Sequence, residues 1–182
     1  MTSDKQQAEA AAAEMRLLLE GTPEQKIRAW LEPTINKHDG CFRSGNWMAD
    51  LVPYVTVHSL SPETNSLTLH FTPQSQHCNR HHMLHGGAMA TLFDFLTTLA
   101  LCFVNDKPGF WKYLGVTRTL NTTYFRPVAQ GEVVAVEVSI MQVGKKLATL
   151  KGEMRRVRDG ALMAVCEHGK VNTDADYAKA KL

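Results

Sequence analysis

The sequence predicts an α+β protein in which one antiparallel sheet curls around a buried helix. Three observations carry that expectation. The stretch AMATLFDFLTTLALCFV, residues 88–104, is apolar on every face except at Asp94 and three threonines, and such a helix must be covered by other elements. Before it, LVPYVTVHSL (51–60) and SLTLHFTP (66–73) alternate apolar and polar residues, as half-buried strands do. After it, four more alternating segments follow, so the order is helices, two strands, one buried helix, four strands.

Taken in order, residues 4–20, DKQQAEAAAAEMRLLLE, are strong helix formers that stop at Gly21, a suitable residue just past a helix end. Thr22-Pro23-Glu24-Gln25 then supplies an N-cap, a proline at the first helical position and a Gln three residues after the cap. A short second helix is expected to run to about Glu32 and end at Pro33. Neither helix carries catalytic spacing, and both read as a covering or interface element. The turn SPETN joins the first two strands into a hairpin. Beyond the buried helix and KPG, the segments YLGVTRTLNTTYF, EVVAVEVSIMQV, LATLKGEMRRV and ALMAVCEHGKV, broken at RPVAQG, GKK and RDG, read as a meander. No fixed repeat period appears, which disfavours solenoids and propellers. The expected organisation is a helical N-terminal extension over 1–45, one domain over 46–173 and a short tail over 174–182.

At 182 residues, 21% charged and 44% hydrophobic, the chain has the composition of a globular domain with a real core. A net charge of +2 with no clustered basic patch gives no footprint for a nucleic-acid partner. Cys41, Cys78, Cys102 and Cys166 form no CxxC pair, and the first residues show neither a secretory h-region nor an Arg-rich transit pattern. A cytoplasmic location is the expectation, with a mitochondrial one left open. The apolar run falls short of about 20 residues and carries Asp94, so it reads as a soluble core helix rather than a membrane span.

The chemistry centres on His85-Gly86-Gly87, where loop becomes helix. The glycine amides there are among the first N–H groups without an intrahelical acceptor. Glycine lets a ligand approach the backbone, and the helix dipole favours developing negative charge at that end. Asp94 lies roughly 10 Å farther along the helix axis, at 1.5 Å per residue. Catalytic contacts need about 3 Å, so one carbonyl cannot touch both in a single chain. If both serve one reaction, two copies must meet, Gly86 of one facing Asp94 of the other across an isologous dimer. The plainer alternatives are a turn that simply needs glycine and a carboxylate that pairs with an arginine or caps a loop. Flanked by Phe93 and Phe95, Asp94 is expected to lie in an apolar wall that raises its pKa.

The segments NRHHMLHGGAMATLFDFLTTLAL and GVTRTLNTTYFRPVAQGE contain the patterns N-x5-HGG-x6-D and N-x2-Y-x2-P. In these the chain resembles the hotdog-fold acyl-CoA thioesterases of the phenylacetate-degradation type, over roughly residues 50–172. The resemblance implies a hotdog fold, a sheet of about five to six strands wrapped around the long helix, and a homodimer or dimer of dimers. It also implies hydrolysis of acyl-CoA or carrier-bound acyl thioesters without a metal or other cofactor. By the same resemblance the Gly86 N–H polarises the thioester carbonyl, and Asp94 of the partner chain acts as general base or nucleophile. Asn79 stands beside the thioester, and Thr117 falls where a hydroxyl residue, often Ser, orients water and carboxylate. His85 and Gly87 shape the turn and are candidate substrate contacts.

Other constellations compete. His77, Cys78, His81, His82 and His85 invite a zinc reading, but no second Cys/His pair with ligand spacing follows, so no metal is expected. No G-x-S-x-G elbow, GxGxxG or P-loop is present. Arg126, Lys145 and Lys146, with Arg155, Arg156 and Arg158, are candidates for coenzyme A phosphates, although each alone reads as a solvated charge. Phe110, Trp111 and Tyr113 read as core aromatics before they read as acyl-pocket lining. The alternatives to a thioesterase are a hotdog hydratase or dehydratase, a biosynthetic enzyme acting on a polyketide or fatty acyl thioester, and a non-catalytic acyl-binding module.

Overall fold

A computed structural model describes residues 2–31, 47–48 and 50–176. Helix α1 spans Thr2–Glu20 and α2 spans Pro23–Leu31. The reciprocal cap read from the sequence is present: Thr22 N donates to Gln25 Oε1 at 2.8 Å, and Gln25 N to Thr22 Oγ1 at 3.3 Å. The expected stop at Glu32 and Pro33 falls outside the described residues, as does Cys41.

Six strands follow, β1 (Val55–Ser61), β2 (Ser66–Phe71), β3 (Val116–Tyr124), β4 (Val134–Val143), β5 (Leu147–Arg156) and β6 (Leu162–Val171). They form one antiparallel sheet in the order β1-β2-β4-β5-β6-β3. The SPETN turn is a single 3-10 turn, Pro62–Thr64, closed by Asn65 in the left-handed region at φ 48°. The buried helix α3 runs Gly86–Thr98 and tightens into a 3-10 segment, Leu99–Phe103. By length and composition Gly86–Phe103 could also cross a membrane, yet half of it is buried inside this fold.

The meander expectation needs one correction. Strands β4, β5 and β6 are consecutive neighbours, but β3 pairs with β6 at the far edge, and β2 takes the place beside β4. The connection after β3 is tied down by other partners. Phe125 N and Arg126 N donate to Met163 O at 2.8 and 3.1 Å, and Leu84 N donates to Val128 O at 2.8 Å. It therefore passes beside the loop that precedes α3 instead of turning tightly, and β4 starts on the other side of the sheet.

Alternation in β2 and β5 sends Leu67, Leu69, Phe71, Ala148, Leu150 and Met154 to the core. There they meet Leu92, Phe93 and Leu96 of α3, all fully buried. Helix and sheet approach most closely at Gly152, where an added Cβ would lie 2.7 Å from the Phe93 ring and 3.0 Å from Thr97 Cγ2. Trp111 is fully buried and donates Nε1–H to Gly144 O at 2.8 Å, so its role is packing, as the sequence reading preferred.

Candidate active site

Asp94 leaves α3 on the side facing the start of β3. There Thr117 Oγ1 donates a 2.5 Å hydrogen bond to Asp94 Oδ1. The β3–β6 register slips between Thr117 and Thr119, and bulges of this kind re-aim side chains beside active sites. Gly115, at φ +60° just before the strand, supplies the turn that brings Thr117 to the helix.

Behind this pair stands His168 of β6, fully buried. Its Nε2 lies 3.1 Å from Thr117 Oγ1 and 3.4 Å from Asp94 Oδ1, and its Nδ1 lies 2.6 Å from Thr97 Oγ1. Thr97 Oγ1 donates to Phe93 O at 2.6 Å, so its lone pairs are open to Nδ1–H; in that tautomer Nε2 turns a lone pair toward Thr117, whose single hydrogen goes to Asp94. Burial, and secondarily Lys170, push the His168 pKa down to about 4, with Asp94 opposing, so the ring is neutral at physiological pH. Lys170, also buried, donates Nζ–H to Thr98 Oγ1 at 2.8 Å, and Thr98 in turn donates to Asp94 O at 2.7 Å. Burial pushes Lys170 down to about 8, which keeps most of its positive charge near Asp94 at neutral pH.

The apolar enclosure expected around Asp94 is not supplied by its own chain: the side chain is 47% exposed. It opens on a cavity of about 590 Å³ lined largely by apolar groups, including Phe95, Leu99, Leu114 and Leu120. Phe93 turns inward to the sheet, so only one of the two flanking aromatics walls the carboxylate.

At the N-terminus of α3, His85 is the N-cap, and its Nδ1 accepts the Gly87 N–H at 2.9 Å. This corrects the expectation of two free glycine donors: the Gly87 amide is occupied, and the Gly86 amide, at the first helical position, is the available one. With Nδ1 accepting, the neutral His85 ring carries its proton on Nε2. Tyr124 OH donates to Gly86 O at 2.9 Å, which ties this end of the helix to the end of β3. A Cβ on Gly86 would meet only the Tyr124 ring at 3.7–3.9 Å, an ordinary contact.

Asn79 serves its own loop: its Oδ1 accepts from His81 N at 2.9 Å and Met83 N at 3.3 Å. It is not among the residues lining the Asp94 cavity. The basic candidates are also dispersed. Arg126 sits by the first residue of β6, donating to Leu162 O at 2.7 Å, whereas Lys145 and Lys146 meet Asn172 past its last residue. One chain thus separates them by about 30 Å, the length of a ten-residue strand. The His-rich loop does not converge on a metal: among the described residues no group of three His, Cys, Asp or Glu could hold one. His77 instead accepts from Gln74 N at 2.9 Å and contacts Asp50 O. Burial raises the thiols of Cys102 and Cys166, to about 12 and about 11, and also raises Cys78, which leaves all three poor nucleophiles.

His168 and Lys170 are absent from the sequence reading, although a signal existed. In CEHGKV, Cys166, His168 and Lys170 fall on one phase of the strand, and that phase is the buried one. A His and a Lys on a core-facing phase require partners.

Comparison with known proteins bears on this arrangement. The model of the thioesterase superfamily matches residues 81–164, a span holding Gly86, Asp94 and Thr117. Mouse acyl-coenzyme A thioesterase 13 is 34% identical over 117 residues, which cover 64% of this chain and 78% of that protein. The chain belongs to the thioesterase superfamily. Among solved thioesterase structures, zebra fish thioesterase superfamily member 2 superposes with a TM-score of 0.64 at 25% identity, covering 81% of this chain and 94% of that one. The Escherichia coli PaaI protein of the phenylacetic acid degradation operon, at 16% identity, shares the fold with a TM-score of 0.55 over 64% of this chain and 82% of that one. The hotdog fold expected from the sequence is the fold of this thioesterase.

Proposed function

We propose that the protein hydrolyses acyl-CoA thioesters, with Asp94 as general base. The observation that carries this reading is the Thr117–Asp94 hydrogen bond at the edge of an apolar cavity. A carboxylate held by one hydroxyl and 47% exposed at a cavity is suited to take a proton from water. The water oxygen attacks the thioester carbon, its proton passes to Asp94, and the carbonyl electron pair moves onto oxygen. The oxyanion needs a donor, and the Gly86 amide at the head of α3 is one. When the intermediate collapses the C–S bond breaks, His85 Nε2–H hydrogen-bonds the departing sulfur, and the proton held by Asp94 returns to the thiolate. No metal or other cofactor enters these steps.

Because Gly86 and Asp94 lie on one continuous helix, roughly 10 Å apart, each reaction draws them from two protomers. The fold supports such a homodimer. Tyr124, bonded to Gly86, and Thr117, bonded to Asp94, stand at opposite ends of β3, an edge strand with mostly exposed side chains. Antiparallel pairing of two β3 edges sets Tyr124 of one chain near Thr117 of the other, bringing each Gly86 toward an Asp94. The same operation brings Arg126 toward the opposite chain's Lys145 and Lys146, which together suit the phosphates of coenzyme A. In this reading residues 46–173 form the catalytic domain, 1–45 an extension and 174–182 a tail, and Asn79 braces the loop before Gly86. A cytoplasmic location belongs to the same reading, supported by Cys78, Cys102 and Cys166 as free thiols.

The test is thiol release from a panel of acyl-CoA and acyl-carrier thioesters by the wild type and Asp94→Asn. Turnover on acyl-CoA that falls about 10²–10⁴-fold in the variant, with substrate still bound, is expected. Hydrolysis unaffected by the substitution, or tight binding with no turnover by the wild type, overturns the reading. A single turnover in H₂¹⁸O separates base from nucleophile, since a general base places the label in the product acid.

A further inference from the structure

The extension that precedes the domain is seated by specific contacts. Ile27 is fully buried and Leu31 nearly so. Lys26, the chain neighbour of Ile27, donates Nζ–H to Asn105 Oδ1 at 2.7 Å, with both side chains buried and Asn105 just past the 3-10 segment that follows α3. A buried ammonium that leaves its acceptor is costly, so this pair fixes the seat of α2 and not merely its proximity. Trp30 follows Lys26 by four residues and Ile27 by three, so it lies at the border of that face, 36% exposed. Its ring meets Phe95 edge-on, centroids 6.5 Å apart and planes at 76°. Phe95 is the neighbour of Asp94, and Trp30 lines the same cavity as Asp94 and Thr117. Trp47, whose Nε1–H reaches Thr91 Oγ1 at 3.1 Å, lines it as well. Neither tryptophan lies within residues 81–164, the span shared with the superfamily.

Resting on the thioesterase reading, we infer that α2 is the far wall of the acyl pocket and that Trp30 is a specificity-determining residue, selecting an unsubstituted aliphatic acyl chain that lies along Trp30 and Phe95. The cavity is continuous with the carboxylate, so an acyl group attached to a carbonyl at Asp94 has this space directly beside it. Among its described lining residues Asp94 carries the only charge, and it stands at the reacting end. Among the described lining residues no charged group other than Asp94 is present to pair with a distal carboxylate or ammonium on the acyl group, and burying either one unpaired is unfavourable. Indole and phenyl faces instead suit methylene groups.

The experiment compares kcat/KM for a straight-chain acyl-CoA series, acetyl to palmitoyl, in wild type, Trp30→Ala and Trp30→Phe. Affinities of the same series are measured by calorimetry in an Asp94→Ala background. The wild type is expected to prefer a chain well beyond acetyl. Trp30→Ala is expected to lower the ratio of kcat/KM at that optimum to that for acetyl-CoA at least tenfold, chiefly through KM, with Trp30→Phe intermediate. Binding in the Asp94→Ala background is expected to lose its dependence on chain length in the same order. Parallel profiles across chain length in wild type and Trp30→Phe overturn the inference, as does a Trp30→Ala variant that changes only the dimer mass in sedimentation. If no thioester turns over, the catalytic reading fails alone, and the binding series still decides the role of Trp30.

Discussion

Two side chains set the state of Asp94, and each separates by substitution. Thr117→Val keeps the shape of the side chain and deletes its hydrogen, removing a hydrogen bond to a charged group worth about 1.5–3 kcal/mol. If that bond orients Asp94 in the transition state, kcat falls about ten- to hundredfold while KM holds, and Thr117→Ser restores it; steady-state kinetics checks both. His168 acts one step back. In the proposed reaction, its neutral Nε2 gives the Thr117 hydrogen a second acceptor once Asp94 has taken a proton from water. Its titration also has a stability signature. The folded pKa near 4 lies below the ordinary 6.5, so as pH falls the unfolded chain takes up this proton first. Stability from this group is complete above pH 6.5 and is lost between about 6.5 and 4. His168→Asn removes that loss, and urea titrations at pH 7 and pH 4.5 are expected to differ by about 2–3 kcal/mol less in the variant.

At the scale of elements, the site depends on how closely α3 lies on β5. Gly152→Ala places a methyl where the Phe93 ring and Thr97 now sit, and overpacking of this kind costs about 1–3 kcal/mol. Because Thr97 also holds His168, the expected result is a lower urea midpoint together with reduced kcat; an unchanged midpoint shows that the helix yields freely. The order of elements along the chain was legible in period and punctuation, because an apolar helix and alternating strands leave different spacings. The place of β3 was not. Alternation reports which face of a strand is buried, and RPVAQG reports that the chain leaves the strand, but neither specifies which neighbour it joins.

At the scale of the whole molecule, the proposed two-chain site can be tested by complementation. Proline is tolerated at the first helical position and removes the N–H, and His85 already has the extended backbone a following proline requires. Gly86→Pro and Asp94→Ala are each expected to be inactive as homodimers. A heterodimer of the two regains one intact site of its two, so an equimolar, randomly exchanged mixture recovers about one quarter of wild-type turnover. No recovery in mixed dimers excludes a site shared between chains, and a monomer in analytical ultracentrifugation excludes the dimer itself.

Sequence alone determined the local elements of this hotdog thioesterase. The HGG turn, the acid on an apolar helix and the hydroxyl two residues into β3 are local patterns, and local patterns survive in one dimension. Asp94 stands out as a charge where apolar residues are expected, and Thr117 donates a hydrogen bond to it. Only the tertiary structure decided that Gly87 is taken by His85, that Asn79 serves its loop, and that Arg126 stands a strand's length from Lys145 and Lys146. It alone showed His168 and Lys170 behind the carboxylate and Trp30 over its cavity. These are contacts between residues far apart in the chain, and no spacing rule encodes which side chains the sheet's curvature will bring within hydrogen-bonding distance.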